Sequence, residues 1–134
     1  MGARGVRTAI VAGLLAALTA LAEPALAAVI IVDRAIARGD YAVATAGGSV
    51  DRPRRLWVKV GARPNQRVDV SWVTVCSRGF GAGSRDGSFS GVTPLRRRIA
   101  MPYRRPDDCT VSASAQLSGR GRRIVVIILA RVPG

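Results

Sequence analysis

The sequence predicts an all-β fold, an immunoglobulin-like antiparallel β-sandwich of about seven short strands behind a signal peptide. Three observations predict it. Apolar residues alternate with period two and no stretch sustains a helical repeat; Pro, Gly, Asn and Ser punctuate the alternation every few to fifteen residues; and two cysteines stand at the ends of two alternating runs.

The leader comes first. Arg4 and Arg7 precede an apolar run over residues 8–22, and Ala25-Leu26-Ala27 supplies the small-x-small pattern of signal-peptidase cleavage. Cleavage is expected after Ala27, with Ala22 as a second site because Ala20-Leu21-Ala22 has the same form. An uncleaved anchor over residues 8–32 is the alternative. It would hold Glu23 and Pro24 near its centre, where a charge costs about 2.5–3.5 kcal/mol. Removing residues 1–27 leaves residues 28–134 as one exported domain with no transmembrane span, since the apolar run 124–130 is too short to cross a bilayer. That placement, secreted and oxidising, licenses a disulfide.

The strands follow in order. Residues 29–33 and 41–50 supply one each, although the alanines of 42–46 are weak strand formers. Leu56, Val58 and Val60 mark a third, opposed by Trp57 and Lys59. Val68, Val70, Trp72, Thr74 and Cys76 share one face of a fourth, with Asp69 and Ser71 on the other. Residues 95–101 lie between Pro94 and Pro102 and belong at a sheet edge, because Arg96, Arg97 and Arg98 are hard to bury. Cys109, Val111, Ala113, Ala115 and Leu117 alternate with polar residues. Residues 124–130 are apolar on both faces, as in a central or covered strand. Pro64-Asn65 is a turn, and residues 118–121 are expected to join the last two strands as a hairpin. Five glycines mark residues 77–91 as a flexible loop.

Cys76 ends its strand and Cys109 begins another, so antiparallel pairing places both sulfurs at one end. Their bond should bring Cα atoms to about 4.4–6.8 Å and gather residues 77–91 and 102–108 beside each other. Trp72 should share the buried face of Cys76. The pair has no CxxC spacing and no histidine near it, which excludes a zinc or redox centre.

Composition limits the chemistry. The chain has no histidine, Glu23 is its only glutamate, and the net charge is +13. The leader takes away only one unit of that excess. Ser-His-Asp and Cys-His catalysis are excluded, leaving only an enzyme of unusual type built on Asp and Ser; no catalytic residue, cofactor or metal is expected. Arginine in place of lysine fits a GC-rich gene, but codon use does not explain why acids are scarce. A domain this basic attracts anionic cell-envelope polymers, and nucleic acid only non-specifically.

Candidate binding residues are Arg78, Phe80, Arg85 and Phe89 in residues 77–91, with Tyr103, Arg104 and Arg105 in residues 102–106. Arginines neutralise charge while aromatic rings stack. The same loop end could instead recognise an extracellular protein. Other motifs are set aside. Asp107-Asp108 gives only part of a calcium shell; Arg38-Gly39-Asp40 is a turn; Gly79, Gly81 and Gly83 lack a phosphate-loop frame.

The segments Ser71-Trp72, Cys76-Ser77-Arg78-Gly79, Thr93-Pro94, Pro106-Asp107-Asp108-Cys109 and Ala113-Ser114-Ala115-Gln116-Leu117 resemble small exported actinobacterial proteins of unassigned activity. The resemblance covers about half the chain and implies a two-cysteine extracellular β domain. It implies no catalytic or binding residue.

Overall fold

A computed structural model describes residues 27–134, which form eight strands and no helix. The expected leader and its cleavage sites lie outside the described residues, apart from Ala27. Among those described, no helix is long and apolar enough to cross a membrane.

The strands are β1 (Ala28–Arg38), β2 (Val43–Asp51), β3 (Arg55–Arg63), β4 (Arg67–Arg78), β5 (Gly81–Val92), β6 (Leu95–Ile99), β7 (Asp108–Leu117) and β8 (Arg123–Val132). They form two four-stranded sheets, ordered β1-β8-β3-β6 and β2-β7-β4-β5. The expected two-layer antiparallel sandwich is present, and this strand order gives it jelly-roll connectivity, with all but one of the neighbouring pairs non-consecutive in sequence. Only β4 and β5 are both adjacent in sequence and paired. Every other connection crosses from one sheet to the other.

Alternation in the sequence becomes the core. Leu56, Val58 and Val60 of β3, Val68 and Val70 of β4, Val111, Ala113 and Ala115 of β7, and Ile124, Val126 and Ile128 of β8 are all buried. These residues point between the sheets because successive side chains on a strand alternate sides. β2 forms despite its poor propensity because its alanines meet alanines: Ala44 pairs with Ala115 and Ala46 with Ala113, all four buried. Tertiary pairing overrides the intrinsic preference. β6 is an edge strand and β8 an internal one, as their arginines and two-faced apolarity require.

Two expectations are corrected. Residues 77–91, expected as a flexible loop, instead end β4 and form most of β5, which pairs with β4 along its whole length from Arg67↔Val92 to Arg78↔Gly81. The connection at residues 118–121 is not a hairpin, since β7 and β8 belong to different sheets; the apolar inner faces of both strands are buried by facing each other across the core rather than by pairing side by side.

The disulfide joins Cys76 to Cys109. They face each other directly on paired strands β4 and β7, at one end of the sandwich as expected. Their Cα separation is 4.1 Å, below the expected range, because opposite residues in an antiparallel ladder already stand that close. Trp72 is half-buried and packs on the same core as Cys76.

Candidate anion-binding site

The site lies at the cysteine end, where β6 leaves its sheet. Trp57 is opposite Arg98 and Lys59 opposite Arg96, so these four share the outer face of β3 and β6. Arg97 takes the other side and covers the Phe89 ring of β5, 5.5 Å from its centroid. This contact closes the gap between two edge strands.

After Ile99 the chain is tied down rather than looped out. The buried Thr74 hydroxyl donates to the Ala100 carbonyl at 2.8 Å, and Met101 and Tyr103 pack their sides against the core. Arg104 and Arg105 stay exposed. Between this segment and the start of β3 runs a groove of about 700 Å³, whose rim and floor hold Arg54, Arg55, Arg98, Arg104, Arg105 and Tyr103. Five guanidinium groups line it and no carboxylate does.

Six of the seven aspartates are committed elsewhere. Asp107 Oδ2 accepts the Gly79 amide at 2.6 Å and Asp108 accepts the Ser77 hydroxyl, which clamps the β4–β5 turn. Asp40 accepts the Gly121 amide and Asp69 the Ser90 hydroxyl. Asp33 accepts the Gly47 amide at 2.8 Å, and that bond, with a second from the Arg34 backbone, holds its carboxyl below the ordinary value. Among the described residues the one ion pair is Arg52 with Asp51 at 3.4 Å, both well exposed. The groove arginines therefore keep their field, undiminished by local pairing.

The other outer face differs in kind. On β2, β7 and β4 it presents Thr45 bonded to Ser114 at 2.8 Å, Ser49 to Thr110 at 3.4 Å, and Ser71 beside them in register. Its central positions carry no Arg or Lys.

No protein-family model matches the chain, and no curated protein matches it in sequence. Some solved structures are similar. A Yersinia pseudotuberculosis-derived mitogen aligns over 80% of this chain and 87% of its own, at 10% identity and a TM-score of 0.44. TmCBM61, solved with beta-1,4-galactotriose, aligns over 78% of this chain and 70% of its own, at 13% identity and 0.34. The CBM32 of AlyQ, solved with 4,5-unsaturated mannuronic acid, aligns over 70% and 75%, at 16% and 0.32. Scores of this size assign no ligand to this chain.

The residues predicted from sequence divide into three places. Tyr103, Arg104 and Arg105 line the groove. Phe89 is half-buried under Arg97, away from it. Arg85 is exposed on the edge strand β5, while Arg78 ends β4 and Phe80 lies in the turn of the β4–β5 hairpin, fully exposed. Gly79, at φ 58°, makes that two-residue turn. The two segments do meet at the cysteine end, where Pro102 and Tyr103 lie against Gly81 and Gly83, while pairing with β4 carries Arg85 and Phe89 further along the sheet. Arg54, Arg55 and Arg98 were not anticipated as site residues. Their signal was the pair of arginine runs before β3 and within β6, which the β3–β6 pairing brings together.

Proposed function

We propose that this chain is an exported, non-enzymatic binding module that holds anionic polymers of the cell envelope in the groove beside β3 and β6. The observation that carries this reading is the convergence of five arginines on one groove free of carboxylates. Export is supported by the leader pattern and by the disulfide, which persists in oxidising compartments. The lack of histidine and the engagement of five of the aspartates by backbone and hydroxyl donors favour binding over turnover.

The test is retention of the purified domain on acidic and neutral polysaccharide matrices. It should be held by the acidic matrix alone, and release should come with rising salt as screening shortens the reach of the arginines. Arg104→Gln with Arg105→Gln should elute earlier. Equal behaviour on both matrices at low salt would end the proposal.

A second reading, docking of an extracellular protein at the β4–β5 hairpin, is favoured by Phe80, an exposed aromatic on a turn that Asp107 pins. Capture of a partner that Phe80→Ala abolishes would support it. Unchanged capture by that variant would dismiss it.

A further inference from the structure

We propose that the floor of the groove is a discrete site for a terminal tetrahedral oxyanion, a phosphoryl or sulfuryl group, with Arg54 as its deepest donor. The link to a polymer rests on the function proposed above; the site itself does not.

Arg54 stands between the buried Pro53 and the start of β3, and its amide donates to the Arg131 carbonyl at 2.7 Å. It lines the groove, and its Nη1 is buried without any acceptor among the described residues. Buried polar groups nearly always find partners, and a charged donor left without one bears its full desolvation cost. Arg131 repeats the situation. It lies opposite Arg55 on β8, its guanidinium is 5.9 Å from the Trp57 ring centroid, and its Nε is buried and unpartnered. Two neighbouring arginines thus hold buried donors that no oxygen of the described residues satisfies, one of them on a residue of the groove wall.

The ligand class follows from number and charge. Guanidinium groups offer several directed N–H donors each and pair with oxyanions in a forked geometry. A carboxylate brings two oxygens and one negative charge to five mutually repelling cations. A terminal phosphoryl group brings three oxygens and close to two charges, and a sulfuryl group three oxygens, so either fills more of the donor set.

The experiment uses the disulfide-bonded exported protein, titrated with inorganic phosphate, sulfate and acetate at constant ionic strength while the Ala100 and Tyr103 amide resonances are followed. Phosphate and sulfate should saturate, binding at least about tenfold more tightly than acetate, and Arg54→Gln should abolish the saturation. Should Arg54→Gln fail to fold, Arg104→Gln, an exposed substitution, should weaken phosphate while leaving the fold intact. Shifts that stay linear, or that are equal for phosphate and acetate, or that survive in both variants, overturn the site. If the ions fail while the acidic matrix still retains the protein, the site falls and the proposed function stands. If the ions saturate while no matrix retains it, the function falls and the site stands.

Discussion

Trp72 occupies the space that a side chain at position 87 would need. Gly87 is its direct partner across β4 and β5, and a Cβ there would stand 2.6 Å from Cζ2 and 2.9 Å from Cε2 of the indole. Both are atoms of a rigid ring that cannot fold aside. Gly87→Ala should therefore destabilise the domain by about 1–3 kcal/mol through overpacking, seen as a lower urea midpoint with tryptophan fluorescence as the probe. An unchanged midpoint would mean that the ring has room to move.

The disulfide closes a loop with a sequence separation of 33. Replacing Cys76 and Cys109 together by Ala should cost about 3–4 kcal/mol in the chain-entropy account. Equilibrium unfolding of the double variant against the oxidised protein measures it. A loss near zero would show that the β4–β7 ladder alone already restricts the unfolded chain.

Thr74→Val keeps the shape of a fully buried side chain but removes the hydroxyl that holds the Ala100 carbonyl. Leaving that carbonyl unpaired should cost about 1–3 kcal/mol. Because Ala100 lines the groove, retention on an acidic matrix should weaken as well. Loss of stability with retention intact would separate the groove from this anchor.

Asp33 gives a pH dependence of known sign. Its folded carboxyl lies below the ordinary 3.8 because the Gly47 amide donates to it. The stabilisation is complete above the unfolded value and disappears as pH falls through the lower folded one. The Gly47 amide should titrate with a midpoint below 3.8, and Asp33→Asn should remove that transition. A midpoint at or above 3.8 contradicts the hydrogen bond.

Phe80→Ala should leave stability within about 0.5 kcal/mol of the parent, since surface changes away from packed features seldom do more and Phe80 is fully exposed. Phe89→Ala should cost more, because that ring packs on the core beneath Arg97. Equal costs would contradict the assignment of the two rings to different environments.

Strands whose inner positions are large and apolar were legible in the sequence, and so was the cysteine pairing. Val58 and Val60, or Val111 and Leu117, announce their face by alternation alone. β5 was not legible, because its inward residues Gly83, Gly87 and Gly91 leave their space to side chains from elsewhere: Pro102 and Tyr103, Trp72, and Leu95. An inner face of glycines broken only by Arg85 and Phe89 has no hydrophobic period to detect. The groove was half legible. Tyr103, Arg104 and Arg105 are contiguous, whereas Arg54 and Arg98 reach them only through the Leu56↔Ile99 register of β3 with β6, a long-range pairing that local spacing does not encode.

Strand order also sets a schedule for the chain. β7 lies between β2 and β4, and β8 between β1 and β3. A fragment ending before Asp108 has no partner for β1 or β2 and retains only the β4–β5 and β3–β6 pairs. Such pairs are marginal alone in water. The last two strands of the domain, β7 and β8, are the ones that knit both sheets together, so the sandwich stays open until both are available. Under the export proposed above, a chain threaded across a membrane in extended form meets that condition on the far side, after passage rather than before it.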